Sequence, residues 1–498
     1  MKSFFEQSIR WVVLLVVAAA SFVSCSKDGD SGRMVLSQSA LFIEEPGGTG
    51  TVGLTTSNVS SISFSNLPGG WTAEADLSTG TLRVTAPSVI DEEHVESGNL
   101  ILSGRTTGGG YVSATLYVAI AATDDLSTQQ ANCFVVTRPN TNYSFDATLR
   151  GETSEMMPTA KVEVVWQTES GLLQYLNLRD GKVSFYVGAE DDDETQIKQG
   201  NVLLGAYDAA GTLLWTWHIW ITGYDPVGKA VTLANGTTVM GSNLGAMNNS
   251  NATTDEILES YGLYYQWGRK EPFIGPSAYN FSMGSSEAMY DGNAKRVYNA
   301  FEASDATKGT LDYASRQPLC FLLGVEQSRY DWLYASHSEE LWNSSSKSLY
   351  DPCPKGWHVP SADAFAGLSI ADKSGSATDY MDKYGWELTD GTATMLFMGA
   401  GRRVYTDGKF QNVYNPLPES RNEALEAQPW VGLYWTADAL TNAQSAAFYF
   451  YFNKKDVAAS GVEPSVAHYR ANGMPVRCVK EQLSLIHISE PTRLRRIS

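Results

Sequence analysis

The sequence predicts a multidomain protein in which two all-β sandwiches precede an α+β domain. Short segments of alternating apolar and polar residues recur from residue 34 to residue 225, separated by clusters of Gly, Pro and Ser. The chain contains 44 Gly, 25 Tyr and 13 Trp, a composition typical of turn-rich, aromatic-rich β structure. After residue 226, helix signals are mixed with strand signals, which favours an α+β domain.

Length, composition and charge restrict the class of protein. The 498 residues leave room for about three domains. Hydrophobic residues make up 43% and charged residues 18%, values typical of folded rather than disordered protein. The formal net charge of −19 repels phosphate backbones, so we expect no nucleic-acid partner.

Residues 1–24 have the pattern of a signal peptide. A basic start with Lys2 and Arg10 is followed by an apolar run from Trp11 to Val23. That run is too short to span a bilayer, which needs roughly 20 apolar residues. The segment ending in Ser24-Cys25 resembles a relaxed lipobox, which implies a lipid on Cys25 and an anchor in the outer membrane, with the protein facing the cell exterior. The alternative is an ordinary signal peptide followed by an incidental cysteine.

The segments at the two ends of the folded region are treated separately. Residues 25–33 are interpreted as a tether, in which the acidic, Ser- and Gly-containing run from Ser26 to Asp30 is similar to the export signal of surface lipoproteins of Bacteroidota. Residues 483–498 read as the translation of a sequencing adapter. We therefore leave them out of the fold prediction.

Residues 34–123 are predicted to form an immunoglobulin-like β-sandwich. Thr81 to Thr85 and Val112 to Val118 alternate between apolar and polar residues, as half-buried strands do. Turn signals such as Pro46-Gly-Gly48 recur every 8–15 residues. About seven strands of this kind indicate a sandwich, and nothing in this segment indicates catalysis.

Residues 124–225 are predicted to form a second β-sandwich module. Its last strand places Trp215, Trp217, Ile219 and Ile221 on one face and Trp220 on the other. We expect this aromatic face to pack against a core or a neighbouring domain. Ligand binding by the aromatic face is the alternative.

Residues 226–482 carry the most specific signals. An Asn235-Gly236 turn is predicted between two short strands, and Thr253 and Glu256 have the spacing of a capping box. Further helices are expected from Ser361 onward and from Ala377 to Tyr384. A hairpin is expected around Asp407-Gly408.

Six ordered motifs in this segment resemble the Fibrobacter succinogenes major paralogous domain (FISUMP) family. The resemblance implies a C-type-lectin-like α+β domain and a surface or secreted location, and it implies no agreed activity. The motifs are Asn243 to Ala246, Gly262 to Phe273, Asp351 to Ser361, Gly401 to Phe410, Leu433 to Ala437 and Arg470 to Val479.

Two further expectations concern residues of these motifs. Because C-type-lectin-like folds commonly tie a helix region to the final strand, and exported proteins meet an oxidising compartment, we expect a disulfide between Cys353 and Cys478. Cys133 and Cys320 are expected to stay buried free thiols. The motif tryptophans, Trp267 and Trp435, are expected to lie in the core, and the alternative is that they form platforms for a sugar. The motif arginines, Arg269, Arg402 and Arg477, are expected to pair with carboxylates in a structural role, and the alternative is contact with a ligand.

The sequence favours binding over catalysis. It contains no His-Glu-x-x-His, Gly-x-Ser-x-Gly, P-loop or Cys-x-x-Cys motif, so we expect no enzyme, no cofactor and no metal centre. The acidic run from Glu190 to Glu194 is interpreted as a solvated loop, with weak calcium binding as the alternative.

The predicted ligand site is the long, weakly periodic segment from Asn412 to Trp435. Loops of this length in compact domains are usually functional or disordered. Its site residues would be Tyr414, Arg421, Gln428 and Trp430, which could stack on and hydrogen-bond a sugar or peptide. The alternative is that Trp430 folds back onto the core.

Two functions follow. The first is a surface lipoprotein for adhesion or for capture of a glycan or protein ligand, which includes a tip or accessory subunit of a fimbria or a partner in another surface complex. The second is a structural cell-envelope lipoprotein without a specific ligand. An exposed aromatic patch on residues 226–482 would favour the first.

Overall fold

The computed structural model describes residues 32–276, 289–413 and 430–482. Strands make up 44% and helices 8% of the described residues, so the predicted predominance of β-sheet is confirmed. The chain divides into two compact units, the first ending at Asp124 and the second beginning at Asp125. No helix in the described ranges is long and apolar enough to cross a membrane.

The first unit is a β-sandwich. Its strands are β1 (Arg33–Leu36), β2 (Ala40–Ile43), β3 (Thr49–Ser57), β4 (Val59–Asn66), β5 (Thr72–Asp76), β6 (Thr81–Thr85), β7 (Ser97–Thr106) and β8 (Tyr111–Ile120); β9 (Ala122–Asp125) follows and belongs to a sheet of the next sandwich. One sheet has the order β1-β3-β6-β5 and the other β2-β8-β7-β4. Leu82 of β6 and Leu100 of β7 lie in one buried cluster, so both sheets contribute to one core.

The second unit begins with another sandwich. Its strands are β10 (Cys133–Val136), β11 (Thr141–Asp146), β12 (Lys161–Gln167), β13 (Gln174–Arg179), β14 (Lys182–Val187), β15 (Ala189–Glu190), β16 (Asp193–Ile197), β17 (Gly200–Tyr207) and β18 (Leu213–Ile221). A 3₁₀ turn, Leu126–Gln129, precedes them. The acidic run around Asp193 lies in the exposed β15-β16 hairpin.

The rest of the second unit is built of many short strands and few helices. The elements are β19 (Val231–Thr232), β20 (Thr238–Val239), α1 (Thr254–Ser260), β21 (Tyr264–Gln266), β22 (Met289–Tyr290), β23 (Arg296–Val297), β24 (Ala300–Ala303), α2 (Leu311–Arg316), β25 (Cys320–Leu323), β26 (Trp357–His358), β27 (Ser369–Ile370), α3 (Ala377–Met381), β28 (Gly385–Thr389), β29 (Thr394–Met398), β30 (Arg402–Arg403), β31 (Phe410–Gln411), β32 (Val431–Leu440), β33 (Gln444–Tyr451), β34 (Gly461–Tyr469), β35 (Gly473–Pro475) and β36 (Val479–Lys480). The 3₁₀ turns here are Glu326–Ser328, Ala362–Phe365 and Val457–Ala459.

The predicted segments 124–225 and 226–482 lie in the same compact unit. The sheet β10-β18-β17-β12 continues into β22 and β23, which come from the second of these segments. Gln167 of β12 pairs with Tyr290 of β22. The two segments on either side of the boundary predicted at residue 225 therefore share a sheet.

Strand β18 explains why the two segments pack together. Trp217 and Ile219 point into the sandwich core. On the other face Trp220 belongs to the core formed with residues 226–482, and its Nε1 donates to the Ala246 carbonyl oxygen at 2.8 Å. The expectation that the aromatic face packs against a core is confirmed, because both faces of β18 are buried.

The motif segments contact one another in the core. Gln266 Nε2 donates to the Ala471 carbonyl oxygen at 2.8 Å, and Trp435 Nε1 donates to the Tyr265 carbonyl oxygen at 2.8 Å. Trp267 and Trp435 are fully buried, so their expected core positions are confirmed.

The two fully buried motif arginines have structural roles, and of these two Arg269 lies within salt-bridge distance of a carboxylate, as expected. Arg477 donates to carbonyl oxygens of Met240, Gly241 and Leu396 and has no carboxylate partner in the described ranges. Arg269 likewise donates mainly to carbonyl and amide oxygens, although its Nε lies 3.8 Å from a carboxylate oxygen of Glu271.

Local predictions are confirmed at some positions and wrong at others. The Thr253–Glu256 capping box is present, and the hairpin around Asp407-Gly408 forms between β30 and β31. The helix expected from Ser361 is only the 3₁₀ turn Ala362–Phe365, because the chain already leaves helical geometry at Ala366. The helix expected to reach Tyr384 ends at Met381, and Tyr384 adopts a left-handed φ of 51° immediately before β28.

The predicted disulfide between Cys353 and Cys478 is present. Cys353 precedes β26 and Cys478 precedes β36, and these two strands pair. Cys133 and Cys320 are buried free thiols, as expected.

Candidate ligand-binding surface

The residues predicted to bind a ligand do not form a described site. Tyr414, Arg421 and Gln428 lie outside the described residues, as does Cys25. Trp430 is the first described residue after that gap, and it is fully buried. Its Nε1 donates to the Met381 carbonyl oxygen, and its ring lies 5.1 Å from that of Phe452, with 18° between the planes.

The proposed ligand contact of Trp430 is therefore corrected. A ring with both a core stacking partner and a satisfied N–H has no free face or donor for a ligand. The alternative stated for Trp430, that it folds back onto the core, is the one the structure shows.

The second unit also contains a group of three tyrosines that are partly exposed and contact one another. Tyr330, Tyr405 and Tyr469, here called the tyrosine cluster, are each partly exposed. The ring centroids of Tyr405 are 5.1 Å from Tyr330 and 4.8 Å from Tyr469, and those of Tyr330 and Tyr469 are 4.8 Å apart. The interplanar angles of 55–64° make the contacts tilted or edge-to-face, an arrangement that aromatic rings favour.

The backbone of Tyr330 is held in an uncommon conformation. Arg329 and Tyr330 have φ values of 54° and 60°, which non-glycine residues seldom adopt. Gly324 makes room for them, since a Cβ there would lie 2.6 Å from the Tyr330 carbonyl oxygen. The Gly324 N–H also donates to the Tyr405 carbonyl oxygen at 2.8 Å. Such strain persists only where the surroundings fix it, and it occurs often at functional sites.

Asn472 joins the other two tyrosines of the cluster. Its Oδ1 accepts from the Tyr405 N–H at 3.2 Å, and its Nδ2 donates to the Tyr469 carbonyl oxygen at 2.8 Å. Asn472 is completely buried. The backbone of the cluster is therefore held by buried hydrogen bonds, here called the frame, and the bond between Asn472 and Tyr405 joins two of the six motif segments.

A buried ion pair joins the residues next to Tyr469 and Tyr330. Arg470, next to Tyr469, lies 3.8 Å from a carboxylate oxygen of Asp331, which is next to Tyr330. His337 Nδ1 lies 3.1 Å from the same carboxylate. Burial raises the pKa of Asp331, while His337 and Arg470 oppose that effect. Arg470 also covers the face of Trp267, with 4.4 Å from Cζ to the ring centroid.

Two basic side chains, here called the basic pair, lie beside the cluster. Arg402 Nη1 is 3.3 Å from His468 Nδ1, and its Nε and Nη2 donate to the Gln411 Oε1 at 3.1 and 2.7 Å. Burial, reinforced by the Arg402 charge, lowers the pKa of His468 to about 4. Since a guanidinium can only donate, Nδ1 of His468 accepts and its Nε2 carries the proton.

The predicted loop segment begins and ends next to the basic pair. Gln411 pairs with Arg402 across the β30-β31 hairpin. The Val431 N–H donates to the carbonyl oxygen of Asn412 at 3.0 Å, so the described residues flanking the gap are neighbours. The described ends of the predicted segment therefore adjoin Arg402, whereas the ligand contact predicted for Trp430 is wrong.

A cavity elsewhere in the second unit is less suited to binding an anion. A cavity of about 370 Å³ is lined by residues that include Val165, Tyr207, Leu213 and Arg316. The Arg316 guanidinium is already paired with Asp312 at 2.8 Å. This cavity therefore offers an anion less than the basic pair does.

Sequence reasoning named the motif arginine of this surface but missed its other residues. Tyr330 lies in no motif, and its left-handed backbone has no sequence signal. Tyr405 and Tyr469 lie in or next to motif segments, and His468 directly precedes Tyr469. Tyr469-Arg470-Ala-Asn472 carried a signal, because an aromatic residue directly before a buried Arg and Asn marks the rim of a core.

The fold defines a predominantly β-sheet protein made of sandwich-like sheets. Neither the protein-family models nor the curated proteins gave a match to the chain. Among solved structures, the D00-D0 domain of intimin is similar over 38% of this chain and 96% of that chain, with 12% identity and a TM-score of 0.16. SporoSAG from Toxoplasma gondii is similar over 36% of this chain and 94% of its own, with 11% identity and a TM-score of 0.13.

A glycan-related structure is also among the matches. Bacteroides ovatus SGBP-B, solved with a mixed-linkage heptasaccharide, matches 39% of this chain and 54% of that chain, with 12% identity and a TM-score of 0.12. Similarities this low carry no argument about function.

Proposed function

We propose that the protein is a cell-surface lipoprotein whose second unit captures a ligand, a glycan or a protein, through the tyrosine cluster. The supporting observation is three partly exposed tyrosine rings on a buried frame, beside a guanidinium with donors to spare. Tyrosine supplies a large, rigid and amphipathic contact area at low conformational cost, as binding surfaces require.

The anchor and the family form part of the same proposal. A lipid on Cys25 would hold the chain on the outer membrane, facing the exterior. There the proposed role is adhesion, which includes that of a fimbrial tip or accessory subunit. We include in the proposal membership of residues 226–482 in the FISUMP family, with a C-type-lectin-like fold; it rests on the six motifs, and hydrogen bonds that join three of these segments in the core support it. Mass spectrometry of the mature N-terminus tests the anchor, and an unmodified start at another residue would contradict it.

The binding role is tested with an array of glycans and matrix proteins probed with residues 26–482. Tyr405→Ala should weaken the strongest interaction by about ten-fold or more, because it removes a central aromatic contact. Tyr298→Ala is the matched control, since this tyrosine is 52% exposed in the same unit but outside the cluster. Equal binding by Tyr405→Ala and the wild type, or no binding to any array member, would favour a structural lipoprotein without a ligand.

A further inference from the structure

We propose that Arg402 of the basic pair, oriented by its contacts with His468 and Gln411, binds the carboxylate of an acidic saccharide whose sugar ring packs on the tyrosine cluster. This inference rests on the proposed function and specifies its ligand class. It does not require any residue outside the described ranges.

The argument begins with the hydrogen-bond donors of Arg402. A guanidinium has five N–H groups. Three of them are used: Nε and Nη2 each donate once to Gln411, and Nη1 donates once to His468. One N–H on Nη1 and one on Nη2 are left to donate hydrogen bonds to an anion such as a carboxylate.

The second step is the absence of an internal counter-ion. Among the described residues, no carboxylate lies within salt-bridge distance of Arg402, and burial lowers the pKa of its guanidinium. The chain nevertheless has 55 acidic against 36 basic residues. Arg470 and Arg316 of the same unit each lie near an aspartate. A partly desolvated cation without an anion gains most from an anionic ligand.

Arg477 shows that a missing carboxylate alone would not suffice. Arg477 is fully buried and donates to several carbonyl and amide oxygens, so its environment is complete. Arg402 is partly exposed and bonded to one side-chain amide and one imidazole. His468 adds to the case, because its Nδ1 holds one N–H of Nη1 and thereby fixes the orientation of the guanidinium.

The third step selects a sugar acid. A uronic acid carries its carboxylate directly on a rigid ring, so one residue can present the charge to Arg402 and an apolar ring face to Tyr405. An acidic peptide side chain offers the same charge on a flexible stem and has no ring to pack on the tyrosines. The Gln411 amide, exposed beside Arg402, is suited to hydrogen-bond ring hydroxyls.

The experiment measures binding of residues 26–482 to polygalacturonate, alginate and hyaluronate, each compared with its carboxyl-reduced counterpart. Reduction turns the carboxylate into an alcohol and leaves the rest of the sugar ring in place. The wild type should bind at least one acidic polymer about ten-fold or more tightly than its reduced partner. Arg402→Gln should abolish that preference. Arg179→Gln, which removes an exposed arginine outside this surface, should keep it.

A second variant leaves the arginine in place. Gln411→Glu puts a carboxylate where the amide oxygen now lies 2.7 Å from Arg402 Nη2, so it supplies the missing anion internally. It should abolish the preference for acidic polymers while the protein stays folded. This outcome separates loss of the ligand contact from loss of the fold.

The outcomes distinguish this inference from the proposed function. Equal binding to both members of every pair, still lost in Tyr405→Ala, would overturn the carboxylate contact and leave ligand capture intact. A preference for acidic polymers that survives Arg402→Gln and Gln411→Glu would overturn the assignment to the basic pair. If none of the polymers binds, the saccharide inference is overturned, and the matrix-protein part of the array alone decides the proposed function.

Discussion

The surroundings of an aromatic side chain decide whether it can meet a ligand. Trp430 packs against Phe452 and Trp386 and donates its N–H to a carbonyl oxygen. Both its ring and its N–H therefore stabilise the core and are not available to a ligand. Tyr405 contacts two other tyrosines and keeps part of its surface in solvent. Both residues lie beside turns or loops in the sequence, and only packing distinguishes them.

At the residue scale, Trp430→Ala should destabilise the second unit by about 3–5 kcal/mol, because it leaves a large cavity and an unpaired Met381 carbonyl. Urea unfolding followed by circular dichroism measures this change. Tyr298→Ala, at an exposed position, should change the free energy of unfolding by no more than about 0.5 kcal/mol. A loss of similar size in both variants would contradict a core role for Trp430.

At the scale of elements, short strands that are distant in sequence are joined by specific cross-links. Strands β26 and β36 are two residues long, and Trp357 pairs with Lys480. The disulfide lies just before both strands and closes a sequence separation of 125 residues. Lys347 adds hydrogen bonds to the carbonyl oxygens of Cys353 and Trp357, at 2.6 and 2.7 Å. The Pro-rich motif is thereby fixed to the last strands of the unit.

Replacing both cysteines, Cys353→Ala with Cys478→Ala, should lower the free energy of unfolding by about 2–5 kcal/mol. The reason is that the unfolded chain regains the freedom of a long loop. Urea denaturation under oxidising conditions tests the value. In the presence of dithiothreitol the wild type should fall to the level of the double variant. A double variant as stable as the oxidised wild type would show that the cross-link contributes little.

At the scale of the whole molecule, strands with alternating apolar and polar residues and turns with a glycine at a positive φ were predictable from the sequence. β6 was predicted at its observed bounds, because Leu82 and Val84 alternate with polar residues over one buried face. The motif hairpin was predicted because Gly408 supplies the positive φ that its turn requires.

Other features have no local signal. The joining of Tyr290 to the sandwich sheet was not predictable, since a two-residue strand shows no periodicity. The same holds for the tyrosine cluster, whose members are brought together from positions 330, 405 and 469 by Gly324 and Asn472. Long-range pairing, rather than local pattern, therefore builds the candidate surface.

The central claim is that the tyrosine cluster is the surface that meets the ligand. Tyrosine nitration, followed by mass spectrometry of each modified peptide, measures this directly with and without a saturating array-selected ligand. Tyr405 and Tyr469 should react more slowly when the ligand is bound, while Tyr111 and Tyr298, which are 67% and 52% exposed, should react at unchanged rates. Unchanged nitration of Tyr405 and Tyr469 at saturation would contradict the claim.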